Sequence, residues 1–161
     1  VAKTIGILSD THLRTPDRHL IALLDGPFCK VDAIIHLGDM VSNEVYDFLR
    51  KKELMAVAGN RDEESLKAFL PKKQVLSMGG FRIGIIHGWG AFWGILNRVG
   101  KEFQGVDAIL FGHTHRPLIK YLKGILCLNP GSFKRDPLGG FHKRYAILRI
   151  GKELEPELRS L

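Results

Sequence analysis

The sequence predicts an α/β domain in which two mixed β-sheets face one another between helical layers. Three observations carry this expectation. An apolar run, a loop and a helix-like segment recur three times between Ile5 and Pro71; the pattern then changes to a hairpin; and from Leu118 onward it is strand-like. Serial strand–loop–helix units imply a parallel sheet with right-handed crossovers, whereas hairpins add antiparallel neighbours.

Ile5 to Ser9 is a continuous apolar run suited to a strand covered on both faces, and it stops at Asp10-Thr11-His12. Thr15 before Pro16 predicts a helix capped by Thr15 and running to about Leu24, because proline is preorganised for the first helical position. Val31 to Leu37 predicts a second buried strand ending in Gly38-Asp39-Met40. Ser42 or Asn43 then caps a helix with Val45, Phe48 and Leu49 on one face. Leu54 to Ala58 is a third strand, closing on Gly59-Asn60-Arg61-Asp62, and a helix with Leu66, Phe69 and Leu70 runs to the breaker Pro71. Val75 to Met78, the Gly79-Gly80 turn and Phe81 to Ile86 form the hairpin. After His87, residues Phe92, Trp93, Leu96 and Val99 recur at helical spacing as far as Gly100. Ala108 to Phe111 is another buried strand, followed by Gly112-His113-Thr114-His115-Arg116-Pro117. Leu118 to Leu122, the Lys123-Gly124 turn, Ile125 to Leu128, and Tyr145 to Ile150 complete the strands, and the stretch after Gly151 reads as a short polar tail.

A chain of 161 residues is expected to form one domain, 1–161, with no need of a disulfide or metal for size alone. Hydrophobic residues at 45% and charged residues at 25% argue against disorder and against a membrane span. A net charge of +7 favours anionic partners, and phosphate fits. The basic residues are dispersed in short groups such as Lys72-Lys73, without the block expected of a dedicated nucleic-acid surface. Cys29 and Cys127 sit in apolar or strand-like surroundings and are expected to be buried reduced thiols. The first apolar run is too short for a signal-peptide core, so a cytoplasmic location is expected.

The chemistry lies at the strand ends. In a mostly parallel sheet the loops at the carboxyl ends gather on one edge. Five such loops carry Asp10 and His12; Asp39; Asn60; His87; and His113 with His115. Seven oxygen and nitrogen donors exceed what one tetrahedral ion takes, but they serve two ions if a carboxylate bridges. Paired ions about 3.5 to 4 Å apart are a recurring device for displacement at phosphorus. Singly, Asp10, Asp39 and Asn60 are ordinary strand-end punctuation; beside four histidines on the same edge, that account needs several coincidences. His19, His36 and His142 are left out of the set, with His36 read as a hydrogen-bonded sheet histidine. Trp89, Phe92 and Trp93 are read as packing of a helix face, and Lys134 and Arg135 as a solvated pair. The glycine pairs are not followed by Gly-Lys-Ser/Thr, which excludes a nucleotide-hydrolase phosphate loop.

The ordered blocks Asp10-Thr11-His12, Gly38-Asp39, Gly59-Asn60-Arg61-Asp62, His87-Gly88 and Gly112-His113-Thr114-His115 resemble the calcineurin-like metallophosphoesterase family. Length and the Asn129-Pro130-Gly131-Ser132 run are most similar to its compact prokaryotic phosphodiesterase branch. The resemblance implies a four-layer αββα sandwich. It puts Asp10, His12, Asp39 and His115 on one ion, and Asn60, His87, His113 and again Asp39 on the other, with Asp39 as the bridge. The ions are expected to be manganese first, with iron, zinc or nickel as alternatives. A hydroxide shared by the two ions would attack a small phosphodiester or nucleotide-like substrate, with Asp39, Asn60, Arg61 and His87 as the catalytic set. Arg61 stands where the phosphoprotein phosphatases have histidine, and arginine cannot release a proton near neutral pH. It is therefore expected to clamp phosphate, and acidic leaving groups are expected to be preferred. Leu13 follows His12 where many relatives have glycine, which alters the loop but leaves both ligands. Two alternatives stand beside this reading. One is an interaction scaffold on the same fold, similar to a retromer subunit, whose signature would be eroded ligand positions; the other is a nuclease, which the positive charge would favour. A homo-oligomer is compatible with all three.

Overall fold

The computed structural model describes residues 1–161, with Gly139 left aside. In chain order the elements begin β1 (Lys3–Leu8), α1 (Arg18–Asp25), β2 (Ala33–His36), α2 (Asn43–Leu49), β3 (Glu53–Ala56) and α3 (Glu64–Lys67). They continue with β4 (Lys73–Met78), β5 (Phe81–Ile86), α4 (Ile95–Gly100), β6 (Ala108–Phe111), β7 (Leu118–Leu122), β8 (Ile125–Asn129), β9 (Arg144–Ile150) and β10 (Leu154–Ser160).

Two five-stranded sheets result, ordered β10-β9-β1-β2-β3 and β4-β5-β6-β8-β7. Strands β1, β2 and β3 run parallel, with β9 and β10 antiparallel at one side. Strands β5, β6 and β8 run parallel, flanked by antiparallel β4 and β7. Both sheets are mixed, as predicted.

Side chains on a strand alternate between its faces, and here both faces are covered. Ile5, Ile7, Ala33 and Ile35 of the first sheet meet Ile83, Ile85, Leu110 and Leu128 of the second in a central core. Leu8 and Ile34 point the other way, onto Leu20 and Leu23 of α1, Val45 and Leu49 of α2, and Leu66 of α3. Ile109, Phe111 and Cys127 pack outward against Ile95 and Val99 of α4. The order of layers is helix, sheet, sheet, helix. Each fully buried Ile or Leu contributes about 1.5–3 kcal/mol, so the facing sheets fix the separation of the loops at their rims.

Several boundaries differ from expectation. Helix α1 is capped by Asp17, whose Oδ1 accepts from the His19 and Leu20 amides at 3.1 and 2.8 Å. A carboxylate there also meets the positive end of the helix dipole, which the Thr15 hydroxyl would not. Ser42 caps α2, its Oγ accepting from the Val45 amide at 3.2 Å. Helix α4 begins only at Ile95, because Gly94 takes the left-handed backbone (φ 75°). Phe92 and Trp93 precede it and stand 47% and 71% exposed, so neither packs a helix face. Trp89 is 44% exposed as well. Cys127 is buried but Cys29 is exposed, and both are free thiols. The expected polar tail is strand β10, which carries Glu157 between Arg149 (3.2 Å) and Arg159 (2.8 Å). Among the described residues no helix is long and apolar enough to cross a membrane.

Candidate metal centre

The ends of β1, β2, β3, β5 and β6 open onto one rim, and backbone hydrogen bonds tie their loops together. The Asp10 amide donates to the Gly38 carbonyl, the His12 amide to the Asp39 carbonyl and the Gly112 amide to the His87 carbonyl, each at 3.0 Å. Glycine is required where the two sheets touch. A Cβ on Gly38 (φ 94°) would lie 2.7 Å from His87 Nδ1, and one on Gly112 would overlap Ser9 Oγ and lie 2.9 Å from Asp10 Oδ2. Asp10, His12, Asp39, His113 and His115 all have φ between 48° and 67°, in the left-handed region. Strain of that kind concentrates at functional sites.

These loops bring the predicted donors together. Asp10 Oδ1 lies 3.3 Å from His115 Nε2, 3.8 Å from His12 Nε2 and 3.9 Å from His87 Nε2. Asp39 Oδ2 lies 3.4 Å from His87 Nε2 and 3.6 Å from His12 Nε2, so it reaches an imidazole on each side. Two clusters have the dimensions of a cation site: Asp10, His12 and His115, and Asp10, Asp39 and His87. Asp10 is common to both, and Asp39, the expected bridge, belongs to the second. Asn60 Oδ1 is 3.1 Å from His87 Nε2. The His113 ring stands edge-on to that of His87, centroids 5.2 Å apart. Arg61 is exposed, and its amide donates to Asp39 Oδ1 at 2.7 Å.

A second layer aims the imidazoles. His87 Nδ1 donates to the Leu37 carbonyl at 2.6 Å and His115 Nδ1 to Asp136 Oδ2 at 2.6 Å, which leaves each Nε2 facing the carboxylates. His113 Nε2 donates to the Gly90 carbonyl at 3.0 Å, which leaves its Nδ1 as the free donor atom. Bonding of the outer ring nitrogen to a carbonyl or carboxylate is how ligating histidines are ordinarily oriented. Asp10 Oδ2 accepts from Ser9 Oγ at 2.6 Å and from the His113 amide at 3.1 Å. Asp62 accepts from the amides of Gly59 (2.6 Å), Val41 (2.8 Å) and Asp39 (3.2 Å), bracing β2 against β3. His36 accepts from the Gly38 amide at 3.1 Å through Nδ1 and meets Thr11 Oγ1 at 3.2 Å, in keeping with a hydrogen-bonded sheet histidine. Sequence reasoning missed Ser9 and Asp136. It quoted Asp62 without a role, although its place in Gly59-Asn60-Arg61-Asp62 was a signal.

The electrostatics are those of a cluster short of positive charge. Burial opposes ionisation of Asp10, but the imidazoles of His115 and His12, 3.3 and 3.8 Å from its Oδ1, outweigh it and hold the carboxyl well below its usual range. Burial likewise opposes charge on His87, yet Asp39 and Asp10 push its pKa up to about 9. The neighbouring Asp10 carboxylate raises His115, whereas desolvation takes His36 down to about 4 and keeps it neutral. Asp10 Oδ1 and His12 Nε2 are buried atoms without a hydrogen-bond partner. A carboxylate oxygen and an imidazole nitrogen, both buried and 3.8 Å apart, beyond hydrogen-bonding distance, are a pair that a cation coordinated by both would satisfy. The donor set therefore fits divalent cations.

The family model for the calcineurin-like phosphoesterase superfamily domain matches residues 4–153. The chain belongs to that superfamily. A probable metallophosphoesterase of Methanocaldococcus jannaschii is 38% identical over 161 residues, spanning 96% of this chain and 79% of the relative. A phosphodiesterase of the same organism is 28% identical over 141 residues, 79% of this chain and 82% of the relative. The structure of vacuolar protein sorting 29 from Cryptosporidium parvum superposes with a TM-score of 0.75 over 99% of this chain and 98% of its own, at 18% identity, which is a likeness of fold. The superfamily supplies the four-layer frame, and the seven candidate donors of this chain stand on its rim.

Proposed function

We propose that this protein is a metal-dependent phosphodiesterase, with Asp10, His12, Asp39, Asn60, His87, His113 and His115 holding two divalent cations, manganese first. The observation that carries the reading is the pair of partnerless buried donors, Asp10 Oδ1 and His12 Nε2, among imidazoles whose outer nitrogens are already engaged. Bound cations would supply Lewis-acid charge at phosphorus and acidify a water. Asp39 would be the shared carboxylate, as the family resemblance implies, and its Oδ2 faces His12 and His87 together. Asn60 and His87 line the cavity beside the centre and orient the ester at its mouth. Arg61 is free to reach a non-bridging phosphate oxygen as a bidentate clamp. Arginine donates hydrogen bonds without releasing a proton, so esters with acidic leaving groups are the preferred substrates.

A scaffold on the same fold would be expected to show eroded ligand positions, and all seven are intact in this chain, which favours the enzyme. Dispersed lysines and arginines favour small substrates over polynucleotides, and steep salt dependence of polynucleotide binding would argue the reverse. We read 1–161 as one domain, and the two free thiols fit a reducing compartment such as the cytoplasm. The test is hydrolysis of bis-p-nitrophenyl phosphate by chelator-treated protein after addition of Mn²⁺, Ni²⁺, Zn²⁺ or Mg²⁺ in turn. Activity should return with at least one cation and be at least about tenfold faster on aryl than on alkyl diesters. Activity without any cation, or equal rates on both ester classes, would refute the respective part.

A further inference from the structure

A cavity of about 640 Å³ opens from Asn60 and His87 away from the other donors. Its volume lies in the usual range of about 300–1,000 Å³ for small-molecule sites, several times what a single phosphate needs. Its walls are of two kinds. One is apolar and aromatic, from Ile86 and Trp89, and Arg98 Nε donates to the Trp89 carbonyl at 2.9 Å, which ties that loop down. The other is basic, with Lys67, Lys72 and Lys73 drawn from α3 and the start of β4. Lys73 is matched by Glu102 Oε2 at 2.7 Å, and Lys67 reaches the exposed Glu64 at 3.3 Å. Lys72 has neither a hydrogen bond nor an ion pair within the described residues, so the basic wall carries charge that the protein does not neutralise.

A cavity that continues from a phosphoester centre and ends in uncompensated lysine has a chemical complement. We propose that it holds the non-scissile part of the substrate and selects a group that bears both a flat ring and a second phosphate, the ring against Trp89 and the phosphate at Lys72 and Lys67. This rests on the phosphodiesterase reading above for which phosphate is cleaved, but the binding preference can be measured without turnover. The ring supplies stacking area and the lysines supply charge, so a substrate lacking either loses part of its hold.

The experiment uses the Trp93→Phe protein, which leaves Trp89 as the only tryptophan. Its fluorescence is titrated with thymidine 3′,5′-bisphosphate and with thymidine 5′-monophosphate, with and without Mn²⁺. Both should quench Trp89, and the bisphosphate should bind about tenfold more tightly, the effect of one charge-assisted contact. Lys72→Gln added to that background should bring the two ligands within about twofold, with unchanged quenching at saturation. Equal affinities in the unaltered cavity, a ratio that survives Lys72→Gln, or no quenching by either ligand would overturn the proposal. In turnover, a 3′-phosphate on thymidine 5′-p-nitrophenyl phosphate should lower KM with kcat unchanged. Failure of bis-p-nitrophenyl phosphate hydrolysis would sink the phosphodiesterase reading alone, because the binding ratio stands without it.

Discussion

Divalent cations should stabilise this protein measurably, and removing the Asp39 carboxylate should abolish the effect. Asp10 is fully buried, and its Oδ1 and His12 Nε2 have no hydrogen-bond partner, so the metal-free fold holds an uncompensated site at its rim. A cation that binds only the folded state adds RT ln(1 + [L]/Kd), about 2.7 kcal/mol at a hundredfold excess over Kd. In a domain of 161 residues each kcal/mol moves Tm by about 2–4 °C, so the rise should be about 5–10 °C. Asp39→Ala deletes the acceptor of the Arg61 amide (2.7 Å) and a carboxylate oxygen 3.4 Å from His87 Nε2. It should lower metal-free stability by about 1–3 kcal/mol and leave Tm unresponsive to the cation. The assay is differential scanning calorimetry of chelator-treated protein with and without Mn²⁺, Ni²⁺, Zn²⁺ or Mg²⁺. A Tm indifferent to all four, or a full rise retained in Asp39→Ala, would refute the reasoning.

Further outcomes follow from the same structure. In the metal-free protein the pKa of His87 is raised from 6.5 to about 9, so its contribution is complete below pH 6.5 and is lost as pH rises through about 9. Tm of chelated protein should fall across that window more than Tm of His87→Gln does, whereas cation affinity should rise across it with release of protons, as titration calorimetry in two buffers would show. Asp136→Asn removes the carboxylate that receives His115 Nδ1–H at 2.6 Å and should weaken cation binding about 10–100-fold while far-ultraviolet circular dichroism is unchanged; undiminished affinity would count against an orienting role. Gly112→Ala places a methyl against Ser9 Oγ and should destabilise by about 1–3 kcal/mol in urea unfolding. Gly100→Ala, with open space around the new methyl, should be neutral or stabilising by up to about 1 kcal/mol.

The strands that carry the donors were legible because each is covered twice. In β1, Ile5 and Ile7 enter the central core while Leu8 turns to the helical layer, so period-two alternation survives only as an unbroken apolar run. Strand β10 was illegible for the opposite reason. Glu155, Pro156, Glu157 and Arg159 are the charged and proline residues that protect a sheet edge, and they resemble a polar tail until β9 is placed beside them. The spacing of Phe92, Trp93, Leu96 and Val99 suggested one helix, but it spans two structures, a loop and α4, because left-handed Gly94 divides them.

The donor set was readable for a physical reason that the backbone makes plain. Asp, Asn and His are among the residues that best tolerate the left-handed region, so a strand end that must turn sharply selects the same residue types that bind cations. That overlap is why Asp10, Asp39 or His113 alone says little. It becomes specific only in three dimensions, where five of the eight non-glycine residues with positive φ among the described residues are candidate ligands. Their orienting partners left no comparable trace. Asp136 meets His115 from 21 positions further along the chain, and Gly90 offers only a carbonyl, which no residue type reveals. Sequence thus specifies which atoms can bind. The distance between the two sheets, set by Ile7, Ile35, Ile85 and Leu110 in the layer beneath, decides whether Asp10 on one sheet comes within 3.3 Å of His115 on the other.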